Sequence, residues 1–306
     1  MQNFFYGWYL KCQSDKQALA IIPSIHQSKE KRFCSIQMIT EEETFSARFS
    51  GCTFYQASKN GKILKPVKNR KLVIGENIFC DRGMKLAINR PGFEVEGKLW
   101  FRELTPLKYD IMGPFAWVPF MECRHSVYSM AHEVSGVIFL NGKRYTFREA
   151  EGYWEGDRGR SFPKEYLWTQ CLFDGGSLML SVAEIPFGSK SFTGIIGVVL
   201  WQGEEYRFAT YLGAKVRWLG NGMVWIVQGD MEFKAQLLEW NAKEQDDDFE
   251  GRAQNFKKEL QAPVNGEMAR MIHENVTCHA SYLFRKGDEV YLNFETQKAS
   301  FEYEYL

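Results

Sequence analysis

Short runs that alternate apolar and polar residues, cut by turn dipeptides, constrain this chain more than any other feature. Val216 and Trp218 alternate with Lys215 and Arg217, and Phe301, Tyr303 and Tyr305 alternate with Glu302 and Glu304. Side chains on a strand point to opposite faces in turn, so each run predicts a strand with one buried face. Asn60-Gly61, Pro91-Gly92, Asn141-Gly142, Asp174-Gly175, Asn221-Gly222 and Lys286-Gly287-Asp288 punctuate the runs. Asn-Gly and Asp-Gly tolerate the positive φ angles of tight hairpins. Gly142 is therefore expected to fold 137–140 onto 143–147, and Gly222 to fold 216–219 onto 223–227. Residues 194–201 and 223–227 are apolar on both faces, as strands deep in a sandwich or barrel are. Only 240–260, with Glu244, Asp246, Asp247, Asp248 and Lys257, lacks strand character; it reads as a solvated loop or short helix. The fold class that follows is all-β, antiparallel.

Length then sets the number of cores. A chain of 306 residues exceeds what one hydrophobic core usually serves, so two domains are expected, 1–150 and 151–306. The division is placed where the hairpin ending at Phe147 gives way to a polar-aromatic stretch. Lys plus Arg and Asp plus Glu both total 38, and a zero net charge gives nucleic acid no bulk electrostatic attraction. The aromatic content, 24 Phe, 14 Tyr and 9 Trp, favours strands and a lipophilic small-molecule ligand. No stretch approaches the roughly 20 apolar residues of a membrane span, which leaves association with a membrane surface open. The first residues lack the basic and apolar regions of a signal peptide. Seven scattered cysteines without a CxxC pair read as reduced thiols, and with no targeting signal the expected location is the cytoplasm. A GxSxG elbow, a P-loop, a dinucleotide-binding glycine fingerprint and an HExxH motif are all missing from the sequence.

Two constellations could carry chemistry. Residues 152–163 place two carboxylates (Glu155, Asp157), two guanidiniums (Arg158, Arg160) and three aromatics (Tyr153, Trp154, Phe162) between apolar strands. Glu155 and Asp157 are acid candidates, with Trp154, Phe162 and Trp168 as cavity aromatics. The alternative is structural: Arg158 and Arg160 pair with the carboxylates and pin the fold. The second constellation is Glu122-Cys123-Arg124-His125, followed by Ser129, His132 and Glu133. His125 titrates near neutrality and can act as an acid or a ligand-binding donor, or sit hydrogen-bonded in the core. His125, His132 and His279 show no metal-ligand spacing, so no metal is expected. Trp117, flanked by Gly113, Pro114 and Pro119, reads as part of an extended edge or connecting strand.

The first constellation resembles the tocopherol cyclase family, whose pattern runs approximately Tyr-x-Glu-Lys-Asn-Trp-Gly, Phe-Pro, a short gap, then Trp-x-Trp-x-Gln. Tyr153, Glu155, Gly159, Phe162, Pro163, Trp168 and Gln170 fit it, and Gly7-Trp8-Tyr9-Leu10-Lys11 is similar to the family's N-terminal strand. Leu260-Gln261-Ala262-Pro263 and the stretch from Cys278 to Glu295 extend the similarity. Where the family has Lys-Asn-Trp, this chain has Gly156-Asp157-Arg158. The resemblance implies two lipocalin-like antiparallel β-barrel or sandwich domains and a lipophilic or aromatic-isoprenoid ligand. It also implies cofactor-free cyclisation of a prenylated phenol. An acid protonates the alkene, and the phenol oxygen captures the tertiary cation. Glu155, Asp157 and His125 are the catalytic candidates. Trp154, Phe162, Trp168, Gln170, Glu122, Trp117 and Arg158 are the ligand-binding candidates. A non-catalytic carrier or sensor using the same pocket is the rival reading.

Overall fold

The structure, a computed structural model, describes residues 3–29, 31–55, 70–118, 121–187, 190–238 and 258–305. The Asn60-Gly61 turn and the acidic run at 244–248 lie outside them. Eleven strands form the first sheet: β1 (Phe4–Gln13), β2 (Ala18–Gln27), β3 (Arg32–Thr40), β4 (Thr44–Phe49), β5 (Cys52–Tyr55), β6 (Lys71–Ile74), β7 (Asn77–Cys80), β8 (Gly83–Arg90), β9 (Phe93–Phe101), β10 (Cys123–Leu140) and β11 (Lys143–Gly159). Their order is β4-β3-β2-β1-β11-β10-β9-β8-β7-β6-β5. Sheet neighbours are chain neighbours except where β1 joins β11, so this is an up-and-down meander, interrupted between β4 and β5, whose last strand pairs with its first. The sheet curls on itself: Phe45 of β4 stacks on Phe93 of β9 at 5.4 Å, and the Arg90 guanidinium lies 5.7 Å from the Phe49 ring. One interior cluster therefore draws on both ends of the sheet, from Ile36 and Ala47 to Leu72, Phe79 and Trp154.

Curling leaves a seam between β4 and β5. A disulfide between Cys34 on β3 and Cys52 on β5 spans it, which corrects the expectation that all seven cysteines are reduced; the other five are thiols.

The second sheet repeats the plan with β12 (Tyr166–Phe173), β13 (Gly176–Phe187), β14 (Lys190–Trp201), β15 (Glu204–Ala209), β16 (Lys215–Gly220), β17 (Met223–Gln228), β18 (Met231–Leu237), β20 (Glu267–Lys286) and β21 (Glu289–Tyr303). A short strand, β19 (Glu259–Val264), pairs with β20 off the main path. The order β15-β14-β13-β12-β21-β20-β18-β17-β16 again joins the first strand, β12, to the last, β21. Phe208 of β15 approaches Phe233 of β18 at 5.6 Å, and Tyr206 approaches Phe284 at 5.0 Å, so this sheet also wraps one core. The all-β, antiparallel, lipocalin-like reading holds. So do both Asn-Gly hairpins, with Asn141 and Gly142 at φ 47° and 81° and Asn221 and Gly222 at 50° and 67°.

The two compact units do not divide at one residue. The first comprises Met1–Pro106, Val127–Ser161 and Pro263–Met268; the second comprises Leu107–Ser126, Phe162–Ala262 and Ala269–Leu306. Residue 150 falls inside β11, which runs unbroken from Lys143 to Gly159. Trp117 closes a 3-10 turn, Gly113–Trp117, rather than lying on an extended strand, because Pro114 pre-sets the φ of its first turn. Among the described residues no helix is long and apolar enough to cross a membrane.

Two stability predictions follow from this packing. Gly97 has φ 145°, and a Cβ there would collide with the Val137 carbonyl of the neighbouring strand. Gly97→Ala is expected to cost about 2 kcal/mol or more in urea unfolding. Gly51→Ala, where nothing lies within 4 Å of the added carbon, serves as the near-neutral control.

Burial lowers the pKa of His132 to about 4, and burial followed by Arg48 does the same to His26. An unfolded histidine binds its proton near pH 6.5, so between 6.5 and 4 the unfolded chain binds more protons than the folded one. Stability should therefore fall as pH drops through that window, by about 3 kcal/mol per histidine at its acid end. Unfolding midpoints measured across the window should show the slope reduced in His26→Gln and in His132→Gln.

Candidate functional site

β1 and β11 pair antiparallel, and their register assigns each residue of the polar-aromatic segment to a face. Tyr153 stands opposite Lys11, Glu155 opposite Tyr9 and Asp157 opposite Gly7. Trp154 stands opposite Leu10, Gly156 opposite Trp8 and Arg158 opposite Tyr6. Strand alternation thus separates the segment into a carboxylate face and an aromatic face directed at the core.

On the carboxylate face Glu155 is 4% exposed, and the Tyr153 hydroxyl donates a 2.5 Å hydrogen bond to its Oε2. Burial, and then the Glu155 carboxylate, push the Tyr153 phenol well above its usual range, so it remains a donor. His125 is buried on β10, the neighbouring strand of the same sheet. Ligand atoms of His125, Glu155 and Asp157 all lie within 4.8 Å of one another. The three side chains proposed from sequence as proton carriers are therefore brought together. An imidazole and two carboxylates at this spacing can pass a proton among themselves; they are also the donor types that hold a divalent cation. The fully buried Lys11 shares the face. Arg158 faces the other way, so alternation does not pin it on the two carboxylates.

On the opposite face Trp154 belongs to the core of the first sheet. Its ring lies 5.0 Å from Trp8 and 5.1 Å from Tyr128, and Trp8 Nε1 donates a 2.7 Å bond to the Tyr6 hydroxyl. The Arg70 guanidinium sits 4.6 Å from the Tyr128 ring and 5.2 Å from Trp154, and its Nε is 3.2 Å from Asp81. These π faces already hold a resident cation.

The remaining candidates are spread out. Trp168 and Gln170 lie on β12, facing away from the core that Leu167 and Cys171 enter. Gln170 is fully buried, and neither its side-chain oxygen nor its nitrogen has a hydrogen-bond partner among the described residues. Phe162 packs edge-on to Tyr166 at 6.3 Å. Glu122 is half-buried just before β10, and Trp117 is 69% exposed. His132 Nδ1 is 3.1 Å from the Ser129 hydroxyl, and His279 Nε2 is 3.2 Å from Glu295.

Sequence reasoning missed Tyr153 as the partner of Glu155, although a residue two positions away on a strand shares its face. It also missed a second buried pair, in which the Tyr166 hydroxyl donates a short hydrogen bond to Glu302. No local pattern links residues so far apart in the chain.

Solved structures agree with the two-sheet architecture. CghA with bound Sch210972 superposes with a TM-score of 0.60 at 9% identity, covering 99% of this chain and 88% of that one. Kievitone hydratase from Nectria haematococca superposes with a TM-score of 0.51 at 9% identity, covering 98% and 88%. At such identities the likeness is one of fold. In sequence, the chain is 28% identical over 138 residues to tocopherol cyclase, chloroplastic, of Zea mays. It is 27% identical over 123 residues to probable tocopherol cyclase, chloroplastic, of Oryza sativa subsp. japonica. These stretches cover 42% and 38% of the chain, and the match spans only 28% and 26% of the relatives' own length. Residues 103–283, more than half the sequence and including both His125 and the Glu155–Asp157 segment, match tocopherol cyclase-like proteins as a group, and the chain belongs to that family.

Proposed function

We propose that the protein is a cofactor-free acid–base catalyst of the cyclase or hydratase kind, acting on a lipophilic, prenylated aromatic substrate. The observation that carries this reading is the convergence of His125, Glu155 and Asp157 within 4.8 Å, with Tyr153 hydrogen-bonded to Glu155. In the cyclisation, one member of the cluster gives a proton to the substrate alkene. The phenol oxygen attacks the tertiary cation, and the phenolic proton returns to the cluster, so the net reaction is an isomerisation. The name of the maize relative and that of kievitone hydratase support chemistry of this class.

One observation favours the rival reading, a binding protein without turnover. Arg70 already occupies the aromatic faces of Tyr128 and Trp154 that would otherwise be available to a substrate cation. Incubation with a prenylated hydroquinone separates the two. Glu155→Gln or Asp157→Asn should lower turnover at least about a hundredfold while binding and melting temperature stay near wild type. Full activity in both variants would remove the carboxylates from the mechanism and leave His125 to be tested. Saturable binding with no product from wild-type protein would establish the carrier reading.

Whether a ligand lies against β12, with Trp168 and Gln170, is tested separately. A buried amide with unmet hydrogen bonds costs stability unless a ligand group satisfies it. Gln170→Leu should therefore raise the melting temperature of the ligand-free protein and weaken binding of the prenylated hydroquinone. Trp168→Ala should weaken binding by more than its loss of stability accounts for. Wild-type affinity in both variants would place the ligand elsewhere.

A further inference from the structure

The seam between β4 and β5 is crossed by two covalent links that lie side by side. The first is the chain itself, where Ser50 and Gly51 join the end of β4 at Phe49 to the start of β5 at Cys52. Both residues are exposed, and nothing lies within 4 Å of a Cβ added at Gly51, so this link alone leaves β5 free to swing. The second is the disulfide. Cys34 stands opposite Phe49 in the β3–β4 ladder, so the bond ties the first residue of β5 back beside the last residue of β4 and closes a small ring around the glycine link. Among the described residues β5 pairs only with β6, over the four residues from Cys52–Ile74 to Tyr55–Lys71. The bond also lies level with the aromatic cluster of the interior. Cys34 is opposite Ile25, Ile25 opposite Tyr6, and Tyr6 opposite Arg158, in one row across four strands. The Tyr6 hydroxyl is 3.2 Å from that of Tyr128, whose ring, like that of Trp154, carries the Arg70 guanidinium. Arg70 immediately precedes β6, so whatever fixes β5 steadies the strand pair that brings Arg70 to those rings.

We propose that the Cys34–Cys52 bond is a reversible redox latch: oxidised, it locks the Gly51 hinge and holds Arg70 on the aromatic cluster; reduced, it frees β5 and β6 and loosens that seat. A single disulfide beside five thiols is the pattern of a redox-responsive bond, whereas disulfide scaffolds are built from several. The reductant is a dithiol. Its thiolate attacks the sulfur of Cys52, which is half-buried between exposed Gly51 and Thr53. A mixed disulfide forms, and the sulfur of buried Cys34 leaves and takes up a proton. The second thiol of the reductant then attacks the mixed disulfide, which leaves Cys52 as a thiol and the reductant as its own disulfide. Two electrons and two protons pass to the protein. The inference does not depend on the proton-transfer reading, because neither cysteine belongs to the His125–Glu155–Asp157 cluster.

Thiol counting on the full chain tests it, with hydrogen exchange as the second readout. Alkylation in denaturant, read by mass spectrometry, should find five thiols in protein purified under air. Treating the folded protein with dithiothreitol before alkylation should expose all seven cysteines, and re-oxidation should restore five. Reduction should also speed amide exchange at residues 71–74 about tenfold or more and shift tryptophan emission to the red, while exchange at 166–173 stays unchanged. Cys34→Ser combined with Cys52→Ser should show the reduced behaviour with or without dithiothreitol. The wild-type comparison decides the matter even if that double variant fails to fold. Seven thiols before any reductant would overturn the proposal. So would a bond that dithiothreitol breaks only in denaturant, which makes it a structural bond, or a reduction that leaves exchange at 71–74 as it was.

Discussion

Pairing between the first and last strands of each meander is the constraint on which the remaining structure depends. Without the β1–β11 ladder the first sheet would fall into two separate pieces, β1–β4 and β5–β11, and the interior side chains of each would have nothing to close upon. The same holds for β12 and β21 in the second sheet. Closure also puts β11 in the middle of its sheet, flanked by β1 and β10, where both of its faces are buried around residues 153–155. A buried, two-faced central strand can direct carboxylates to one side and an indole to the other. That is how Glu155 and Trp154, adjacent in sequence, come to serve different environments.

The separation of faces bears on the chemistry. An acid needs to be held, oriented and shielded from water; a packed core needs continuous apolar contact. By alternating, β11 meets both requirements in six residues, with Tyr153 orienting Glu155 while Trp154 fills the interior beside Trp8 and Tyr128. The polar groups of the carboxylate face are thereby carried on a rigid ladder rather than a loop, which limits how far they can drift from one another.

Much of this was legible in the sequence, and the gaps have physical causes. Strand class and hairpins could be read because Asn141-Gly142 and Asn221-Gly222 act locally, through backbone angles that few other residues accept. The motif around Glu155 identified the family, and Glu155 and Asp157 from that motif do converge with His125 from the second constellation. The partner of β1, by contrast, lies at the far end of the meander, and strand alternation carries no information about which strand pairs with which. Residues 152–159 read as a polar-aromatic stretch beyond a division at residue 150, with Arg158 close enough in sequence to pair with the acids. In the folded chain they continue β11, so Arg158 turned out to face away from the acids. Trp117 was misread because prolines suit an extended edge and the first turn of a 3-10 helix equally well. Cys34 and Cys52, 18 positions apart, meet only because the sheet curls.

The ladder between the terminal strands also has a consequence in time. Gly7 pairs with Asp157, 150 positions later in the chain, so β1 leaves the ribosome long before its partner exists. At about 5–20 residues per second, the interval is on the order of ten seconds or more. Throughout it, the nascent chain can build the β1–β2–β3–β4 hairpins, but the other edge of β1, with Trp8 and Leu10 beside it, stays unpaired. The order of synthesis thus makes the N-terminal strand the segment with the longest exposure to wrong partners, and the arrival of β11 the event that ends it.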